Sequence, residues 1–143
     1  MSVMLGDKAV SVVVKYINDQ GIMSSKKNSI SGECMPLVAY KYERPETLKG
    51  EYIAVNHLPF VHRREVEEGV VNINIHVPRL KSGLPDTRRL AALAQRIVDL
   101  FPEGKYLDTA FYEFLSDSRP TLDNDDTYYV NIQLNVIFNN LNY

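Results

Sequence analysis

Three histidines, one cysteine and a late run of acidic residues are the side chains here whose types suit catalysis or metal binding. His57 and His62 flank a proline-broken segment, and His76 lies on the polar side of an alternating run. A zinc site needs three or four donors converging from fixed elements, and no HExxH pair occurs. Separate surface histidines are the simpler reading. Cys34 has no histidine on its own predicted element to make it a nucleophile. Glu113, Asp117, Asp123, Asp125 and Asp126 cluster late, and the tract DNDD looks like part of a calcium loop. It lacks the glycine and closing glutamate that such a loop needs, so it reads as a solvated loop. No phosphate-cradling glycine loop or nucleophile elbow is found. The expectation is a protein that is not an enzyme and holds no metal and no cofactor.

The remaining polar residues point to surfaces. Arg63 and Arg64 form one basic pair; Arg79, Lys81, Arg88 and Arg89 form a second group around the start of a predicted helix. Two arginines at a helix N-terminus oppose its dipole, at a cost of about 0.3–1 kcal/mol. An acidic surface on a neighbouring copy would compensate, and Asp117, Asp123, Asp125 and Asp126 supply one candidate; a solvated charged surface is the plain alternative. Two runs, VNINIHV and YVNIQLNV, carry amides at alternate positions. Side by side they form a neutral patch of Asn72, Asn74, Asn131, Gln133 and Asn135, with His76 on the same face. Amides both donate and accept hydrogen bonds. Such a face serves as a wet surface, an uncharged lining or a contact with another protein, and Tyr129 and Ile137 on it favour contact.

These residues need elements to place them. Val10, Val13, Val14 and Ile17 recur at helical spacing, predicting a helix from Asp7, as N-cap, to Gln20, with Gly21 after it. Ser24 to Gly32 is small and polar and reads as a loop. Strands are expected at Leu37–Glu43 and Glu51–Leu58, with Pro59 breaking the second and a bend, an extended hairpin arm or a loop running to Glu68. Val70–Val77 is the clearest strand: Val71, Ile73, Ile75 and Val77 face one way, Asn72, Asn74 and His76 the other. Leu90, Leu93, Ala94, Ile97, Val98 and Phe101 define a second helix, capped by Asp86 and ended by Pro102 and Gly104. Leu107–Leu115 and Thr127–Phe138 read as strands around an acidic loop, Ser116–Asp126. The order α-β-β-β-α-β-β predicts an α+β fold: a mostly antiparallel sheet with two helices packed on one face.

Length and composition set the frame. A chain of 143 residues fits one domain, 1–143, with one ordinary core. Apolar residues make up 45% and charged ones 24%, near the globular average, and the net charge is −2. Bulk capture of nucleic acid or of an anionic membrane is not expected. The apolar N-terminal run is interrupted by Asp7 and Lys8 and reads poorly as a signal peptide. No run of about 18 apolar residues predicts a membrane span. A single cysteine makes a reducing compartment such as cytoplasm the default.

The strand VNINIHVP, the helix TRRLAALAQRIVDLF, the segment FPEGKYLDTAFYEF and the near-terminal strand YYVNIQLNVIF follow one another in order. In order, spacing and pattern, from Asp7 to Phe138, the chain resembles the tail-terminator or tail-completion proteins of tailed bacteriophages, including minor tail proteins at the head–tail junction. The resemblance implies a structural virion protein. It would form a hexameric ring that caps the tail tube and joins it to the head connector, with DNA only as passing cargo. The implied partners are further copies of the chain, a tail-tube protein and a head-completion protein, and the implied location is the virion after assembly in host cytoplasm. A closed ring needs two different patches that complement each other; the basic residues before the helix and the acidic late loop are such a pair. Two other readings stand beside it: a small-ligand-binding domain or hydrolase with its site on the sheet face, and an adaptor binding peptide through an edge strand.

Overall fold

The computed structural model describes residues 4–45, 50–62, 66–123 and 126–139. In chain order the elements are α1 (Leu5–Asp19), β1 (Met23–Lys27), β2 (Cys34–Pro36), β3 (Ala39–Lys41), β4 (Tyr52–His57), β5 (Val61–His62), β6 (Val66–Pro78), α2 (Thr87–Val98), β7 (Lys105–Leu107), β8 (Ala110–Asp117), β9 (Thr121–Leu122) and β10 (Thr127–Asn139). The α+β class and the mostly antiparallel sheet are as expected. Its main path runs β3-β4-β6-β10-β8-β7, with β5 on β6 and β9 on β10. One pairing is parallel, β3 on β4.

The sheet is built around two long central strands. β6 and β10 pair antiparallel over their whole length, from Thr127 opposite Pro78 to Asn139 opposite Val66. Alternation sends Val71, Ile73, Ile75 and Val77, with Val130, Ile132, Leu134, Val136 and Phe138, to one buried face. Both helices cover that face: α1 packs on β3, β4 and β6, and α2 on β6 and β10. α1 contributes Ala9, Val10, Val13 and Ile17, and α2 contributes Leu90, Leu93 and Ile97. Fully burying each valine, leucine or isoleucine among them is worth about 1.5–3 kcal/mol.

The helix ends follow the signals in part. Asp86 caps α2, accepting from the backbone N–H of Arg89 at 3.2 Å. Gly21 follows α1 with φ +66°, a conformation that favours glycine. Asp7 is not the N-cap. Met4 holds that position, and Asp7 sits inside the first turn, where Tyr42 and Lys41 engage its carboxylate. That carboxylate is held below its ordinary value, by the Tyr42 hydrogen bond first and Lys41 next.

Two local expectations change and one open alternative is resolved. The polar stretch 24–32 belongs to a hairpin, β1 with β2, which forms a separate two-stranded sheet. Leu107–Leu115 is split by a turn, so that β7 folds back on β8. After Pro59 the chain takes the hairpin-arm alternative: Val61 and His62 pair as β5 against Glu68 and Glu67 of β6.

Candidate functional site

The face of the sheet away from the helices carries the amides. β6 and β10 place Asn74 opposite Asn131 and Asn72 opposite Gln133, while β4 brings Asn56 opposite Asn72 and β8 brings Ser116 opposite Gln133. A hydrogen-bonded chain crosses all four strands. Ser116 Oγ donates to Gln133 Oε1 at 3.0 Å, Gln133 Nε2 to Asn72 Oδ1 at 3.1 Å, and Asn72 Nδ2 to Asn56 Oδ1 at 2.9 Å. Asn131 Nδ2 branches to Asn72 Oδ1 at 3.2 Å and Asn74 Oδ1 at 2.9 Å. Asn135 stands apart and donates to Glu113 at 3.3 Å. Asn72 is thus the hub, and its burial is tolerable because each of its polar ends is matched.

One row along, His76 lies between two tyrosines. The Tyr52 ring stacks on it at 4.3 Å with planes 8° apart, and Tyr129 lies on it at 5.2 Å and 30°. His76 Nδ1 is 3.2 Å from Thr127 Oγ1 and 3.5 Å from Asp123 Oδ2. Arg44 lies over the Tyr52 ring at 5.4 Å, a cation–π arrangement. Together these rows floor a groove of about 830 Å³, walled by Tyr42, Glu43 and Arg44 on one side and by Ser118, Thr121 and Asp123 on the other. Tyr42 is pushed up to about 12, by burial first and then by its hydrogen bond to Asp7.

Tyr52, Asn56, Ser116 and Arg44 are site residues that the sequence reading missed. The alternation of Tyr52, Ala54 and Asn56 against Ile53 and Val55 was the signal for two of them, since it puts them on the amide face.

Two of the basic groups find acidic partners within the chain. Arg89 turns inward: its Nε and Nη2 donate to Glu51 Oε2 and Oε1 at 2.8 and 3.0 Å, and Nη2 also reaches the carbonyl of Met23 at 3.0 Å. The compensation for its place at the helix start therefore comes from Glu51 of the same chain. Arg79 is 3.4 Å from Asp126 and hydrogen-bonds it through the backbone, so the basic group and the acidic loop meet within one molecule at that point. Lys81, Arg88 and Asp117 are exposed. Asp125, Arg63 and Arg64 lie outside the described residues.

A second feature stands off the body. In the hairpin β1–β2, every residue from Ser25 to Pro36 is exposed. Its base is fixed by Glu51, which accepts from the Ser25 N–H at 2.8 Å, and by Ser24, which donates to the Met35 carbonyl at 2.9 Å. Its tip is ordered by Asn28, whose Oδ1 accepts from the N–H groups of Ile30 and Ser31 at 2.8 and 3.1 Å. That turn holds Ile30 out at 95% exposure.

No protein-family model and no curated protein matches the chain. Eight chains of solved structures do. One, described by a sequence identifier alone, aligns with a TM-score of 0.60 and 17% identity over 94% of this chain and 96% of that one. The likeness is one of fold.

Proposed function

We propose that this protein is a non-catalytic structural subunit that self-assembles into a ring, of the kind that caps a phage tail tube and joins it to the head connector. The observation that carries the reading is the hairpin arm, Met23–Pro36. An isolated two-stranded hairpin is marginal in water, and exposed apolar side chains grouped on one feature mark interaction surfaces. This arm exposes Met23 and Met35 at its base and holds Ile30 in solvent at its ordered tip. The sequence order and strand pattern described above supply the phage-tail class. The test is native mass across a concentration series. A discrete closed oligomer is expected, and a monomer at every concentration overturns the reading.

The groove favours a second reading, a site for a small neutral ligand. Its volume falls in the range of ligand pockets, which span about 300–1,000 Å³. Its floor offers amides rather than charges. Ligand-observed NMR against a panel of nucleosides and sugars tests it: hits lost in Asn74→Ala and Tyr129→Ala support the site, and no hits remove it.

A further inference from the structure

We infer that the hairpin arm of one copy seats in an acidic, aromatic notch at the far end of α2 on the next copy. The arm and the notch lie at opposite ends of that helix. At the N-terminal end, Arg89 and Glu51 hold the base of the arm through Met23 and Ser25. At the C-terminal end, Val98, Asp99, Phe101, Glu103, Glu113 and Phe114 line a recess of about 630 Å³. A helix of 12 residues separates them, about 18 Å at 1.5 Å per residue. Two different surfaces displaced along one axis are what a head-to-tail contact requires.

The surfaces match in chemistry. The arm offers Ile30 as an apolar anchor and Lys26 and Lys27 as cations. The notch offers Phe114, 40% exposed, beside buried Phe101, with three carboxylates around them. Among the described residues, none of Lys26, Lys27, Asp99, Glu103 and Glu113 is in an ion pair. Asp99 and Glu103 also crowd the negative end of the α2 dipole, where cations are favoured; an incoming lysine pair relieves that. Glu33 on the arm and Lys105 beside the notch are the opposite-signed exceptions. The notch also flanks open β-edge, because β7 covers β8 only as far as Tyr112 and leaves Glu113–Asp117 unpaired on that side among the described residues.

The inference rests on the ring reading and supplies its contact, and one experiment separates the two. Native mass spectrometry is run on the full chain, on Ile30→Asp, and on the double variant Asp99→Lys with Glu103→Lys. Each variant alone is expected to need a protein concentration higher by about thirtyfold to assemble, the loss typical of a central anchor. Mixed one to one, they are expected to stop at a dimer, because only one intact arm meets one intact notch. As a second route, Lys26→Glu with Lys27→Glu loses assembly and regains it when combined with the Asp99 and Glu103 changes. If the native chain forms rings and Ile30→Asp forms them equally well, the arm-to-notch contact is wrong and the ring reading stands. The same holds if the mixture gives no dimer. If the native chain never assembles, both fall.

Discussion

Glu51 stays ionised where a lone carboxylate would not. Burial acts to raise its pKa, but the Arg89 guanidinium and the Ser25 N–H together outweigh burial and hold it below the ordinary 4.5. A carboxylate lowered on folding contributes stability that is present in full above its unfolded value. That stability is lost as the pH falls below about 4.5. Glu51→Gln should therefore flatten the acid limb of a stability-against-pH curve measured by urea unfolding. Arg89→Ala leaves the buried carboxylate without its partner and should cost about 3 kcal/mol, seen as a fall in Tm of roughly 10 °C. The Arg89–Glu51 pair was not legible in the sequence: 38 residues separate the partners, and only the fold brings the start of α2 against the edge of β4. A charge-reversal test of assembly should accordingly use Arg88 and Lys81, since reversing Arg89 would set a carboxylate against Glu51. The amide hub makes a different prediction. Asn72→Ala removes the Asn72 partner of Asn56 and of the Gln133 amide and leaves Asn131 with Asn74 alone, and should cost about 1–3 kcal/mol in chemical denaturation while leaving secondary structure by circular dichroism unchanged.

At the level of elements, the long strands that alternate were legible, and the short or solvent-exposed strands β1, β2 and β9 were missed. β6 and β10 declare themselves because every second residue from Val71 to Val77 and from Val130 to Phe138 is Val, Ile, Leu or Phe. β1 carries MSSKK, with one buried residue in five; a strand with both faces in water has no reason to alternate, so a polar reading takes it for a loop. The parallel pairing of β3 with β4 was hidden because three residues, Ala39–Lys41, set it. The amide patch was legible for the same reason as its strands, whereas the walls of the groove come from irregular segments whose path no periodicity encodes. Gly69 shows how tightly the edge of β6 is packed: a Cβ there would lie 2.3 Å from the Phe60 ring. That ring also contacts His57 and Phe138. Gly69→Ala should cost about 1–3 kcal/mol in thermal unfolding through overpacking. Phe60→Leu in the same chain should recover part of the loss, a coupling expected of residues in contact.

For the whole molecule, the fold sets a two-layer body with one core beside an arm that adds little to it. The core lies wholly in the layer between the helices and the large sheet, and no residue of the arm beyond Ser24 is buried. Replacing residues 27–34 by Gly-Gly should therefore leave the Tm within a few degrees in calorimetry while reducing the native mass to that of a monomer; a truncated chain that still forms rings would detach the arm from assembly. The same separation has a practical side. Cys34, the sole cysteine, is exposed and lies on β2. One thiol-reactive dye thus labels every molecule once, on the arm and nowhere in the body, with no engineered mutation. A fluorophore there reads the arm's surroundings as subunits are titrated together, so the chain carries its own reporter.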